Sequence, residues 1–428
     1  MEKRLLILGT QFEFIELVKR SKGRGYYTVV CDGYANGPAR AFADAAYTID
    51  VHEIEQIAKL CREERIDHIV TSFSDIMFEC MVKIADAAGL PCYLHESALK
   101  YYRSKEETKR RCRRLGIRVP QFRYITDPYD EALADFPWPA VLKPVDSYGS
   151  RGLSIVQNPA EVAVHFGEAA QFSENGKCAL LETLSQGQEL NCMAFVENGQ
   201  VYLLSIADRM TAPLDAQHIP INYAIRYPSV FFDAVREKVR SIFSRFAQST
   251  GQTEGPMAMQ CFWDGKEIEV CEIAGRLFGF EHEMVTITTG LDIEDLLLDM
   301  LYDPQRLQET LLAHDPKGTS FASCVYLQNI EAGVLRDESA VRELTGGEAV
   351  RHFVLFYEEG ERLGVLGPKQ YFARYYVEGR TREEMLREEA HIFRLARAYT
   401  EDGKQVVFLP GSAGEEKVKK RRRQLVRN

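Results

Sequence analysis

The sequence predicts an α/β fold that passes into α+β: an N-terminal parallel α/β domain, a core of two subdomains, and a small α+β domain at the C-terminal end. Three observations carry this expectation. Over residues 1–100, short apolar runs alternate with segments of helical periodicity, the pattern of parallel strands joined by helical crossovers. Between about 120 and 275 the apolar runs come in pairs around turn residues, as in antiparallel hairpins. Beyond about 311 strands dominate, and one long amphipathic helix closes them. At 428 residues the chain exceeds one ordinary hydrophobic core, so several domains are expected.

In the first hundred residues, Arg4–Leu8 reads as a buried strand ending in Gly9-Thr10. Helical spacing follows over Phe12–Lys22. Tyr27–Cys31 is a second strand, then Ile54–Glu64 a helix, His68–Ser72 a strand, Ile76–Gly89 a helix and Pro91–Leu94 a short strand. Ligands of such a sheet gather at the carboxyl ends of its strands, here near Gly9, Asp32 and Asp75. Gly9-Thr10-Gln11 lacks the G-x-G-x-x-G pattern, so no dinucleotide site is expected. Residues 97–115 read as a basic helix with Ser104 as a cap and Glu107 three residues on. Most of its charges read as a solvated face.

The stretch Ala140-Val-Leu-Lys143-Pro144-Val-Asp-Ser147-Tyr-Gly149-Ser150-Arg-Gly152-Leu-Ser-Ile-Val156 reads as strand, flexible polar loop, strand. Such a loop offers many backbone N–H groups to an anion, and Lys143 adds a fixed charge. Taken alone, an ordinary hairpin with a surface lysine is the simpler reading. Lys177–Leu184 is a further strand. Two strands flank the turn signal Asn198-Gly199. Residues 207–229, with three prolines, read as an irregular polar loop. Val230–Gly251 is an amphipathic helix. Ala258–Phe262 and Glu267–Glu272 form a hairpin, and Asp292–Leu301 a helix. Strands Ser320–Leu327, Glu348–Tyr357 and Arg374–Glu378 and the helix Thr381–Tyr399 make up the C-terminal domain.

Composition narrows the function classes. Apolar residues make up 45% and charged residues 27% of the chain, the profile of a soluble globular protein. A net charge of −10 argues against nucleic acid as a partner. No apolar run approaches the eighteen or so residues of a membrane span. The ten cysteines form no C-x-x-C pair; reduced core residues and a cytoplasmic location are expected. The basic tail after Glu415 reads as a frayed terminus.

The motifs converge on one chemistry. Binding a nucleoside triphosphate needs cations for phosphates and carboxylates for Mg²⁺. Lys105 and Lys143 supply the cations, the loop 146–152 covers the phosphates, Glu182 sits at a strand-to-loop hinge, and Glu189 is placed to accept ribose hydroxyls. A hairpin aligns Glu272 with Gln260, and Arg276 follows four residues later, placed to stabilise developing negative charge.

In this order and spacing the sequence resembles the ATP-grasp superfamily. The resemblance rests on Lys105, Leu142-Lys143-Pro144, Ser147-Tyr-Gly149-Ser150-Arg-Gly152, Glu182 with Gly187-x-Glu189, and Glu272-x-x-x-Arg276. It implies an N-terminal α/β domain over 1–100, an ATP-grasp core over 101–310 with a lid at about 120–185, a C-terminal α+β domain over 311–410 like that of L-amino-acid ligases and carboxylase-like members, and a basic flexible tail over 411–428. It further implies ATP bound by Lys105, Lys143, Ser147, Gly149, Ser150, Gly152, Glu182 and Glu189. Mg²⁺, or Mn²⁺ in its place, would be held at Glu272 and Gln260. Glu272 and Arg276 would be catalytic, and the product an amide made from a small carboxylate and an amine by way of an acylphosphate. Arg226 is a candidate clamp for a second substrate carboxylate, and Glu281 for orienting the amine. A homodimer is common in the superfamily.

Two departures stand out. Family members usually have an acid where this chain has Gln260 and an asparagine where it has Ala274. These changes leave open an ATP-binding protein with weak or no ligase activity, and the shared phosphate chemistry leaves open a carboxylase or phosphotransferase.

Overall fold

A computed structural model describes residues 2–71, 73–145, 152–173, 177–212, 221–364 and 371–410. The chain opens with a parallel sheet of Arg4–Leu8 (β1), Tyr27–Asp32 (β2), Ala45–Thr48 (β3) and His68–Val70 (β4), in the order β3-β2-β1-β4. Its crossovers include the helices Ile15–Gly23 (α1) and Ile54–Glu63 (α2). Asp75–Ala88 (α3) follows β4. Ser74 caps it by accepting the Met77 N–H, and Gly89 ends it in the left-handed conformation.

Glu96–Arg103 (α4) and Lys105–Arg114 (α5) are two helices where one was expected. Ser104 is extended between them, and its hydroxyl accepts the Glu107 N–H at 3.3 Å, which starts α5 as anticipated. Phe122–Ile125 (β5), Ala140–Lys143 (β6), Ser154–Val156 (β7), the helix Pro159–Gln171 (α6) and Ala179–Thr183 (β8) form the next layer. Its sheet has the order β5-β8-β6-β7, covered by Val162, Ala169 and Leu133.

The largest element is an eight-stranded antiparallel sheet. Its strands are Gln188–Glu197 (β9), Gln200–Ala212 (β10), Ile221–Tyr227 (β11), Gly255–Trp263 (β12), Ile268–Ala274 (β13), Phe321–Gln328 (β14), and two more described below. The helices Phe232–Thr250 (α7), His282–Thr289 (α8), Ile293–Tyr302 (α9) and Pro304–Ala313 (α10) lie between them in sequence. After the short strand Gly333–Asp337 (β15) and helix Ser339–Glu343 (α11) come Val350–Leu355 (β16), Arg362–Leu363 (β17), Tyr371–Gly379 (β18), Arg382–Leu395 (α12) and Tyr399–Thr400 (β19). The sheet order is β13-β12-β9-β10-β11-β14-β18-β16. The strands expected in a separate C-terminal unit therefore extend the core sheet.

Alternation along the strands gives the sheet two apolar faces. Leu190, Cys192, Ala194 and Val196 of β9 pack with Val235, Val239, Phe243 and Phe246 of α7. Met193 and Phe195 point the other way, into a cluster with Ile225, Tyr227, Cys324, Tyr326 and residues of α8 and α9. The β9–β10 hairpin turns at Asn198 and Gly199, both with positive φ as its turn signal requires.

Two expectations are corrected and one strand was not foreseen. Pro91–Leu94 is not a strand. Instead Tyr93 donates to the Gly275 carbonyl at 2.8 Å, with its ring beside Gly255, so the run docks on the core. Ala45–Thr48, which carries no strong apolar signal, pairs with β2 as the sheet edge. Residues 207–212 and 221–227 are strands, not loop; residues 213–220 lie outside the described residues. The prolines masked the alternation of β11, in which Arg226 and Tyr227 face opposite sides.

Arg226 is accordingly not in a loop. Its Nε and Nη2 donate to Glu389 of α12 at 2.9 and 2.5 Å, and Ser323 donates to the same carboxylate at 2.7 Å. The substrate clamp expected at Arg226 already has its carboxylate from the chain. Glu389→Ala would leave this mostly buried guanidinium unpaired and is expected to cost about 3–5 kcal/mol in urea unfolding. A change under about 1 kcal/mol would show that the pair does not hold α12 to the sheet.

Candidate active site

The candidate site lies where α5, the β5-β8-β6-β7 sheet (named the lid sheet after the lid expected at about 120–185) and one end of the central sheet meet. Glu182 on β8 is its electrostatic hub. Lys143 at the end of β6 reaches Glu182 Oε2 at 2.7 Å, and Lys109 of α5 reaches Oε1 at 3.2 Å. Lys109 also donates to the Cys271 carbonyl of β13 at 2.9 Å, and its side chain is only 1% exposed. Burial alone would raise the Glu182 pKa, but Lys109 and Lys143 outweigh it and hold the carboxyl below its ordinary range. Burial opposes the charge on Lys143, and Glu182 more than offsets this, so its pKa is raised.

Strand register brings the next residues together. Gln260 of β12 lies directly between Glu272 of β13 and Asn191 of β9, so all three side chains share a face. Glu189, two residues before Asn191, joins them. Its Oε1 accepts the Gln260 amide and lies 3.3 Å from Arg209 Nε. A register shift after Gln260 leaves Cys271 without a partner residue on β12, beside Glu272. The Glu272 carboxylate has no hydrogen bond or ion pair among the described residues and is exposed. Ala274 pairs with Ala258 and offers no ligand.

The segment after β13 crosses this face. Arg276 Nε and Nη2 hold Asp75, at the start of α3, at 2.9 and 2.6 Å, and Nη1 donates to the Leu277 carbonyl at 2.9 Å. Burial opposes ionisation of Asp75, but Arg276, Arg103 and Lys105 lower its pKa overall. That interaction also places Lys105 at the junction. Glu281 is buried. Asn191 Nδ2 donates to it at 2.6 Å and the Tyr227 hydroxyl donates to its other oxygen. Burial raises its pKa against these hydrogen bonds.

The sequence-expected residues Lys143, Glu182, Glu189, Gln260 and Glu272 thus converge, with Lys105, Arg276 and Glu281 at the margin. Gly152 stands apart: its φ is +64°, and a Cβ there would lie 2.7 Å from Phe172, a packing reason for glycine. Ser147, Gly149 and Ser150 lie outside the described residues.

Sequence reasoning missed Lys109, Asn191, Arg209 and Arg374. Lys109 carried a signal: it is four residues from Lys105 and shares a helix face with Cys112. Arg374 of β18 is the more unusual. It pairs in register with Tyr326, and Tyr376, two residues on, pairs with Cys324. Cys324 pairs with Ile225, and Ile225 with Arg209. Arg374 therefore shares the sheet face of Arg209 and Glu189. Its guanidinium lies 3.9 Å from the Phe280 ring centroid and 5.1 Å from that of Phe356. It is 3% exposed, and its Nε and Nη1 have no acceptor among the described residues.

The Glu182 hub has a testable pH signature. A carboxylate whose folded pKa is depressed stabilises the fold above its unfolded pKa of about 4.5, and that stability is lost as pH falls through the folded value. Glu182→Gln leaves two lysines facing a neutral amide. It is expected to cost about 3–5 kcal/mol at pH 7, with the gap to the parent closing as pH falls below 4.5 in urea unfolding. A gap unchanged down to pH 2 would rule the ion triad out.

The model of the PylC-like N-terminal domain family matches residues 5–89. Formate-dependent phosphoribosylglycinamide formyltransferase of a Nitratiruptor species is 27% identical over 161 residues, 37% of this chain and 42% of that protein. The chain thus spans under half the length of the curated relatives it matches. The L-amino acid ligase of Bacillus licheniformis superposes with a TM-score of 0.78 over 94% of this chain and 99% of its own, at 17% identity. The biotin carboxylase domain of Hydrogenobacter thermophilus 2-oxoglutarate carboxylase, crystallised with MgADP and bicarbonate, gives 0.73 over 95% and 91%, also at 17%. The chain is built on the ATP-grasp fold, as the order of its motifs implied.

Proposed function

We propose that the chain is an ATP-dependent ligase that activates a small-molecule carboxylate as an acylphosphate and joins it to an amine. One observation carries the reading: Lys143, Lys109 and Glu182 on one side and Glu189, Gln260 and Glu272 on the other meet between the lid sheet and the central sheet. ATP would lie between these sheets. Lys105 and Lys143 would face its phosphates, and Glu189 its ribose.

The metal end has one uncommitted carboxylate, Glu272. Mg²⁺ is commonly held by one or two carboxylates with phosphates and water, so the residues fit one ion at Glu272, with the Gln260 carbonyl as a neutral second ligand. Bound there, the ion would neutralise phosphate charge. The substrate carboxylate oxygen would attack the γ-phosphorus and ADP would leave. The amine nitrogen would then attack the acyl carbon, phosphate would leave as the anion, and the proton on the nitrogen would pass to a nearby base. Glu281, with its raised pKa, suits that role. Three of the five N–H groups of Arg276 are engaged by Asp75 and Leu277; the other two remain for the acylphosphate. Arg374, buried with unmet donors, is proposed to hold a carboxylate of the substrate.

A second reading is an ATP-binding protein with little turnover. The Gln260 amide turned toward Glu189, and the alanine at 274, favour it. ADP release across a panel of amino acids and small carboxylates separates the two. The ligase reading expects release that needs both a carboxylate and an amine, reduced about 100-fold or more in Glu272→Ala and Arg276→Ala. Equal release by the variants, or ATP binding with no ADP from any pair, would reject it. Arg374→Ala is expected to raise KM for the carboxylate about tenfold and leave KM for ATP unchanged; a change confined to ATP would remove Arg374 from the substrate site.

A further inference from the structure

The outer face of α5 carries a feature that the reaction does not use. Glu106, Arg110, Arg113 and Arg114 of α5, with Phe122, Arg123 and Tyr124 of β5, line an open concavity of about 460 Å³. Its four arginines face one glutamate, on a chain whose net charge is −10. Glu106 is taken by Arg110 at 2.6 Å. Arg123 meets Asp130 only at 3.6 Å. Arg113 lies over the Phe122 ring, 4.0 Å from its centroid, and donates to the Pro120 carbonyl. Arg114 has no ion pair among the described residues. Like charges gathered in a hollow repel one another unless an anion joins them.

We propose that this concavity binds an oligophosphate anion and that the bound anion ties the lid sheet to the core. Several guanidinium forks suit several phosphate oxygens, whereas a monocarboxylate would satisfy one. The volume falls within the range of small-molecule sites. The coupling follows from position. β5 is the edge strand of the lid sheet, and Phe122 pairs directly with Glu182 on β8. The inner face of α5 holds Lys109 against the same Glu182 and against β13. An anion bridging Arg110 and Arg114 to Arg123 would fix the angle between the two walls of the inner site. By linkage, nucleotide in the inner site would tighten the outer one. This coupling rests on the nucleotide reading; anion binding in the hollow does not.

The test uses the full chain with its inner site filled by a saturating non-hydrolysable ATP analogue. Inorganic tripolyphosphate and GTP are then titrated separately by calorimetry. One binding event is expected, weakened about tenfold per arginine removed in Arg114→Ala/Arg123→Ala and abolished in Arg114→Glu/Arg123→Glu. Binding of tripolyphosphate alone would point to a free oligophosphate, and of GTP to a nucleotide. No event with either anion, or an unchanged event in both double variants, overturns the site. Tripolyphosphate is also expected to change the analogue's affinity by a different factor in the parent than in the double variants; equal factors would overturn the coupling. An analogue that fails to bind on its own would count against the nucleotide reading, and the tripolyphosphate event in the nucleotide-free chain then decides the site.

Discussion

The ion triad Lys143–Glu182–Lys109 is the interaction on which the rest of this architecture turns. It is buried, and it joins three separate pieces of chain: the end of β6, the middle of β8 and the inner face of α5. Through the Cys271 carbonyl it also reaches β13. Removing two lysines and a carboxylate from water is expensive, and apolar side chains in the same place would hold the fold as well or better. What apolar packing would not supply is charge that a phosphate can compete for. Two cations held by one carboxylate leave a net positive charge where α5, β6 and β8 meet. The triad positions its lysines without neutralising them.

The central sheet turns local register into a site. Antiparallel pairing puts Glu272, Gln260 and Asn191 in one row and Arg209, Ile225, Cys324 and Tyr376 in another, with Glu189 and Arg374 on the same face. A one-residue slip in any of these pairings would turn its polar residues to the opposite face, which α7 and α12 cover. The apolar cluster beneath, from Met193 to Tyr326, fixes that register. Core packing and chemistry are therefore set by the same alternation, and the strands that follow residue 311 contribute to both.

Much of this was legible in the sequence, for physical reasons that differ by element. The parallel sheet and its helices declare themselves because buried strands need continuous apolar runs. The cap at Ser104 and the turn at Asn198-Gly199 are readable because each depends on side chains or φ values that few residues provide. Lys143, Glu182, Glu189 and Glu272 are recognisable through spacing. The losses have a common cause. Lys109 sits among arginines that face water, and only its position on the helix separates it from them. Arg374 and Arg209 are arginines within largely apolar strands, and their meaning comes from partners on other elements, Glu189 for Arg209 and Phe280 and Phe356 for Arg374. Arg226 was misplaced because prolines flank a strand that is regular between them.

The altered metal end and the arginines belong to one argument. Replacing an acid by Gln260, and an asparagine by Ala274, removes negative charge and ligands from the end of the sheet. On the ligase reading, a nucleotide site so changed would hold metal charge less strongly, and the phosphates would then be balanced by fixed cations. The same face carries Arg209 beside Glu189, Arg276 beside Asp75, and Arg374 with donors unmet. Two of these guanidinium groups already have carboxylate partners; Arg374 feels the Glu283 carboxylate but has no ion pair with it among the described residues, and its Nε and Nη1 stay without an acceptor there. On the ligase reading, the charge that completes Arg374 arrives with the substrate. Affinity for that substrate would then derive largely from relieving a buried, unpaired cation, which makes a carboxylate-bearing acid or amine a better substrate than its neutral analogue.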